Sequence, residues 1–263
     1  MSLKTNLEYL IESGIDEKAR KIYLGHPNQD VESYGDVDMA SISRTIRAIN
    51  KFSSDAPHRP IELYVSSYGG DAYAMIGLID TILACPSQIR FVGYGAVMSS
   101  AAWIMSVCDH RSLHENTSVL LHDGVDLFEG KNTDIKIEAN ESFRLQNLLE
   151  KVLAENSRMP ANFWHDILKR DVYLTATEAL ALGICDEIIM PKKRGNLRKS
   201  RQHAMNIPQS KHKITKLVKS IFDRTGLSSR SKDVVIKISV DEIDDTLIIE
   251  TREEIGPPEQ ESQ

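Results

Sequence analysis

Cysteine is scarce in this 263-residue chain. The three present, Cys85, Cys108 and Cys185, are an odd number, far apart, with no CxxC and no Cys/His pair at ligand spacing. That argues against a disulfide framework and a zinc site, and leaves them as reduced core residues. Long apolar runs are missing too. The longest uncharged stretch, residues 91–108, approaches the length of a membrane span but contains Gly93, Gly95, Ser99, Ser100 and Ser106, so it reads as a buried strand followed by a helix of small residues. The first eleven residues carry Lys4 and Glu8, unlike a basic head with an apolar core; no secretory leader and a cytoplasmic location are expected. No lysine lies between Lys51 and Lys131, which deprives a Ser-Lys dyad of its base in the middle of the chain. After Tyr173 the only aromatic residue is Phe222, which leaves no stacking platform for single-stranded nucleic acid. There is no phosphate-cradling G-x-x-x-x-G-K-[ST] pattern, no internal repeat and no low-complexity tract.

What is present fits a folded protein of one large domain with an appendage: 41% of residues are hydrophobic and 27% charged. The net charge of -6 conceals an asymmetry. Residues 192–232 hold 13 Lys/Arg against Asp223 alone, a balance of +12, whereas residues 233–263 stand at -8 and residues 1–191 at -10. The composition therefore breaks near residue 191, and the two tail segments can neutralise one another without an external polyanion.

Before that break, apolar runs rich in β-branched residues at 22–24, 61–65, 89–92 and Ser118–Leu121 alternate with segments of helical period at 39–52, Ala72–Ala84 and 134–156. Such alternation predicts an α/β fold of βαβ units around a mainly parallel sheet, with function at the strand-to-helix junctions. Three junctions stand out. In LYVSSYGGD (63–71) a strand ends at Gly69-Gly70, where free N–H groups at a helix start could receive an anion. In GYGAVMSSAA (93–102) a strand passes through two glycines into Ser99, whose hydroxyl would be presented on a sharp turn; two serines among alanines could equally be packing residues. The third is the apolar strand that delivers His122, the only histidine that the sequence places at such a strand end. Together they supply a nucleophile, a base and two backbone donors, the parts needed for acyl transfer.

The order of these junctions resembles that of the ClpP peptidase family, and is closest to its phage-like members. The resemblance rests on Ser67-Tyr68-Gly69-Gly70, on Gly95-Ala96-Val97-Met98-Ser99, on Leu120-Leu121-His122, on Gly130-Lys131-Asn132-Thr133-Asp134-Ile135, on residues 170–179 and on Gly183-Ile184-Cys185-Asp186-Glu187-Ile188, and spans about residues 20–190. Departures accompany it. In housekeeping members the serine-to-histidine spacing would put the nucleophile at Val97, whereas phage-like members put it at Ser99. Tyr68 stands where proline is usual, and His122 is followed by Asp-Gly instead of Gln-Pro.

The resemblance implies a ClpP/crotonase-like spiral of ββα units with a long handle helix. It also implies a serine endopeptidase in which Ser99 attacks, His122 is the base and Asp171 orients it, with the N–H groups of Gly70 and Ser100 receiving the oxyanion, and no cofactor or metal. Asp123 or Asp109 could orient the histidine instead, and Ser100 is the neighbouring candidate nucleophile. Alternatives are an inactive ring subunit and a crotonase-type acyl-CoA enzyme, although no glutamate pair lies near the glycines. Implied partners are a peptide or unfolded-protein substrate, further copies in a homo-oligomeric ring and an ATP-dependent unfoldase; neither a membrane nor nucleic acid is expected. The domains are then 1–191, a peptidase domain, and 192–263. The latter is read as a basic amphipathic helix at 210–224, an acidic hairpin with strands Val234–Val240 and 246–251, and a disordered end from 256.

Overall fold

The computed structural model describes residues 6–25, 36–124, 127–191, 217, 219–221, 223–224, 234–240 and 247–253. In chain order the elements are α1 (Asn6–Ser13), β1 (Ile15–Asp16), β2 (Lys21–Leu24), β3 (Asp36–Val37), α2 (Met39–Asp55), β4 (Ile61–Ser67), β5 (Gly69–Gly70), α3 (Ala72–Ala84), β6 (Ile89–Met98), α4 (Ser100–Ser106), β7 (His110–His114), β8 (Ser118–Leu121), α5 (Asn132–Glu155), α6 (Ala161–Ile167), β9 (Val172–Thr175), α7 (Ala176–Leu182), β10 (Glu187–Ile189), β11 (Val234–Val240) and β12 (Leu247–Glu253). The chain divides into two units, Met1–Leu121 with Tyr173–Ile207, and His122–Val172 with Pro208–Gln263.

The first unit is a mixed α/β fold. Its sheet runs β1-β2-β4-β6-β7-β10, with β8 paired to β6 and β9 to β8. The pairs β2–β4, β4–β6, β6–β7, β6–β8 and β7–β10 are parallel, and β1–β2 is antiparallel, so the expected mainly parallel sheet is present. Alternation fixes which face is covered: in β4, Ile61, Leu63, Val65 and Ser67 point into the core while Glu62, Tyr64 and Ser66 lie on the other face. The apolar stripes of α2 (Ile42, Ala48, Ile49, Phe52) and α3 (Ala74, Met75, Leu78, Ile79, Ile82) are buried, each large side chain contributing about 1.5–3 kcal/mol. The helix starts are closed by side chains. Asp38 and Ser41 form a reciprocal capping box on α2, Asp71 Oδ1 accepts from the Ala74 N–H of α3, and Thr175 pairs with Glu178 on α7. The far end of α2 is closed differently. Buried Arg20, at φ 58°, donates to the carbonyls of Phe52, Ala56, Arg59 and Pro60, a cation placed on the negative end of the helix.

Strand β6 is shared along its length. Residues 90–93 pair with β7 and residues 96–98 with β8. The change of partner occurs at Gly93, where an added Cβ would stand 2.5 Å from Leu113 Cδ2. The uncharged stretch 91–108 is thus strand β6 followed by the fully buried helix α4, and among the described residues no helix is long and apolar enough to cross a membrane. One reading is corrected here: His110 and His114 open and close β7. The sequence HRSLH carries too little apolar alternation to announce a strand, so His122 is not alone at a strand end.

In the second unit, α5 is 24 residues long, about 36 Å. Only Leu149, Glu150, Val152 and Leu153, near its end, are buried. Glu150 accepts from Gln146 Nε2 and His165 Nδ1 lies 3.1 Å from it, which ties this end of α5 to α6. The strands β11 and β12 pair antiparallel, from Val234↔Glu253 to Val240↔Leu247. Of the expected helix at 210–224, residues 217, 219–221, 223 and 224 are helical and Ile221 is buried; the remainder, and the end from 256, lie outside the described residues.

Candidate active site

The first unit brings two of the three junctions together. Strand β4 bulges between Val65 and Ser67 so that Ser67 pairs with Val97, and the buried Ser67 Oγ accepts from the Gly69 N–H at 3.0 Å. Gly69 (φ +105°) then passes directly beside Ser99: a Cβ on it would stand 2.6 Å from Ser99 Cβ, 2.9 Å from Met98 O and 3.0 Å from Ser100 N. Gly70 (φ +148°) packs on Val37, where an added Cβ would run into the Val37 carbonyl. Only glycine fits at either position. The parallel register Val37↔Gly70, with Asp71 N–H donating to Val37 O, routes this ladder through the residues that flank Gly70. The N–H of Gly70 itself is therefore left off it.

Ser99 has φ 51° and ψ -127°. Among the described residues it and Arg20 are the two non-glycine residues at positive φ. Such a conformation costs about 1–3 kcal/mol and persists only where neighbours over-determine it. They do so here: the Ser99 N–H donates to Leu120 O at 2.8 Å, and the Ser99 carbonyl accepts from Ala102 N–H at 2.8 Å and Trp103 N–H at 3.3 Å. The first N–H groups of α4, those of Ser100 and Ala101, have no carbonyl a turn earlier in the helix to meet.

The two adjacent serines have different fates. Ser100 is buried and its hydroxyl donates to the Gly70 carbonyl at 2.8 Å. Ser99 is half-buried and makes no cap bond with its side chain. Val97 is fully buried. A strained backbone bend that holds Ser99 between Gly69 and the first N–H groups of α4 is an arrangement suited to attack on a carbonyl.

His122 and Asp171 belong to the second unit. His122 is the residue next to the end of β8, half-buried, and Asp171 is exposed just before β9. The Asp123 N–H donates to Leu168 O at 2.9 Å, so the two residues sit on neighbouring segments of that unit. Among the described residues their side chains share no hydrogen bond. Asp109, the other orienting candidate, is committed elsewhere: its carboxylate accepts from Ile89 N–H at 2.7 Å. Among the described residues no group of three His, Cys, Asp or Glu side chains could hold a metal ion. Two supports of the site, the Ser67 hydroxyl and the Leu120 carbonyl, were not legible beforehand; a polar residue closing an alternating strand is the only signal, and it marks Ser67 alone.

The Clp protease family model matches residues 18–192. The chain is 32% identical over 163 residues to the ATP-dependent Clp protease proteolytic subunit 4 of Streptomyces avermitilis, covering 61% of this chain and 72% of that one. It is 31% identical over 163 residues to the ATP-dependent Clp protease proteolytic subunit 2 of Streptomyces coelicolor, covering 61% and 75%.

Proposed function

We propose that this chain, which belongs to the Clp protease family, hydrolyses peptide bonds as a serine endopeptidase with Ser99 as nucleophile. The single observation that carries the reading is the strained Ser99 turn between the Gly69-Gly70 segment and the first N–H groups of α4. In the proposed reaction His122 takes the hydroxyl proton as Ser99 Oγ bonds to the scissile carbonyl carbon. The N–H groups of Gly70 and Ser100 receive the oxyanion. The protonated His122 then gives its proton to the leaving amine, and water, deprotonated by the same imidazole, releases the acyl group. Asp171 holds the imidazole in the tautomer that accepts at the serine side and stabilises its cation. The spent hydroxyl of Ser100 and the burial of Val97 favour Ser99 over both neighbours.

Members of the family form oligomeric rings and work with ATPase partners, and both are proposed here, with a peptide or unfolded-protein substrate and a cytoplasmic location. On α5, Ile137 and Phe143 are about two-thirds exposed (64% and 67%), an apolar outlay on a long helix that a second copy would cover. Residues 1–191 are proposed as the peptidase domain, in keeping with a family match that ends at 192. Residues 192–263 are proposed as a small appendage whose basic helix packs on the core or on the acidic hairpin, serving assembly or substrate access.

A serine-reactive fluorophosphonate, mapped by mass spectrometry, tests the reading. An adduct on Ser99 is expected, and Ser99→Ala or His122→Ala should each lower peptide hydrolysis on the order of 10⁶-fold, non-additively with Asp171→Ala. An adduct on Ser100 would overturn the assignment. No adduct in the assembled protein would favour a second reading, a silent ring subunit, to which the lack of a hydrogen bond between the His122 and Asp171 side chains among the described residues lends support.

A further inference from the structure

The residues that flank the glycine pair carry chemistry that the reaction does not use. Tyr68 precedes Gly69 and is 69% exposed; Asp71 follows Gly70; Tyr73, one residue into the second position of α3, is 59% exposed. Asp71 is also exposed. Its Oδ1 accepts from the Ala74 N–H at 2.7 Å as the cap of α3, which engages one oxygen and leaves the other. Among the described residues no Lys, Arg or His pairs with this carboxylate.

Its distance from the nucleophile is bounded by the chain. Gly69 lies against Ser99, and Asp71 is two residues further, at most about 7 Å of extended backbone. An extended peptide advances about 3.4 Å per residue. Asp71 is thus within reach of a substrate side chain one to three residues from the carbonyl that Ser99 attacks. A carboxylate with no cation among the described residues, flanked in the chain by two exposed tyrosines, is matched by one side-chain class: Lys or Arg, whose stem would lie along a tyrosine ring while its charge meets the carboxylate. An apolar side chain would gain from the rings alone and would bring the carboxylate out of water with no partner.

We infer that Tyr68, Asp71 and Tyr73 form a subsite for a basic side chain, so that the protein selects unfolded segments with Lys or Arg within three residues of the cleaved bond. The inference rests on the proposed peptidase reading and specifies its substrate.

The experiment uses the full-length protein and a peptide mixture randomised at three positions on each side of the cleaved bond, with cleavage sites read by mass spectrometry. Fluorophosphonate labelling of the same sample is run in parallel. One position should be enriched in Lys and Arg. A matched pair of fluorogenic peptides, Lys against norleucine at that position, should differ about five- to tenfold in kcat/KM, the range of one partly exposed ion pair with a ring contact. In Asp71→Asn that ratio should fall to about 1–2; asparagine caps a helix as well as aspartate does, so a merely structural role would leave the ratio unmoved. The ratio should also shrink as salt is raised. Labelling at Ser99 without a basic preference, a preference for aromatic or aliphatic residues alone, or a Lys preference that survives Asp71→Asn would each overturn the subsite and leave the peptidase reading standing. Absence of both labelling and cleavage would overturn the two together.

Discussion

Gly69→Ala isolates the geometry on which the Ser99 assignment depends. The new methyl would stand 2.6 Å from Ser99 Cβ, 2.9 Å from Met98 O and 3.0 Å from Ser100 N. Carbon atoms in contact rest at about 3.5–4.0 Å, so the serine turn must retreat by roughly 1 Å. Neither side can yield cheaply, because Ser99 is held by Leu120 in front and by Ala102 and Trp103 behind. A displacement of about 1 Å at a reacting group lowers the rate on the order of 10²-fold. The backbone adds its own cost, about 1–3 kcal/mol for a non-glycine residue at φ +105°, seen as a drop of several degrees in Tm. The assay is the second-order rate of fluorophosphonate labelling at Ser99, measured below the variant's Tm. Gly77→Ala is the control. Gly77 lies inside α3, and its added Cβ would meet only Ile46 Cδ1 at 3.9 Å. It should raise stability by up to about 1 kcal/mol and label at the wild-type rate. If Gly69→Ala labels as fast as wild type, or if Gly77→Ala is slowed comparably, the close approach of the glycine pair to the nucleophile does not matter and the site has been misplaced.

Two further outcomes concern the scaffold. Burial pushes the Asp186 carboxyl up, but hydrogen bonds and charge from Arg111 outweigh it and hold the group below its ordinary value. A depressed carboxylate contributes stability above its unfolded pKa of about 4 and loses it as pH falls through the lower folded value; urea midpoints between pH 6 and pH 2.5 should therefore fall less steeply in Asp186→Asn than in wild type. Burial raises the Cys108 thiol, and raises Cys185 to about 11, while Cys85 is only half-buried; brief iodoacetamide treatment of the native protein at pH 8 should modify Cys85 alone, and early adducts on the other two would show that the α4 and β10 ends open more readily than their packing implies.

How far the chain could be read from its residues depended on how much pattern each element carries. Strand β4 announces itself because Ile61, Leu63 and Val65 alternate with Glu62 and Tyr64, and α3 because Met75, Ile79 and Ile82 keep helical spacing. The two-residue strands β1, β3 and β5 were not legible, since two residues hold no period; β3 matters nonetheless, because Val37 is what fixes Gly70. Strand β7 was missed for the opposite reason, a length of five with polar residues at both ends. In α5 the period was legible but its meaning was not: Leu149, Val152 and Leu153 are buried by the chain itself, whereas Ile137 and Phe143 on the same helix stay exposed, and a stripe of apolar residues does not say which copy will cover it. The site shows the same limit at closer range. The string Gly-Ala-Val-Met-Ser-Ser identifies a turn and offers two hydroxyls, and no propensity separates them. What separates them is long-range: Ser100 Oγ is spent on the Gly70 carbonyl, thirty residues earlier, and Ser99 is bent into positive φ by a bond to Leu120, twenty-one residues later. Because the two partners come from strands of different sheets, β5 and β8, the proposed choice of nucleophile rests on tertiary structure and not on the local string. A substitution that unzips β8 from β6 should therefore unstrain Ser99 before it disturbs any residue of the turn itself.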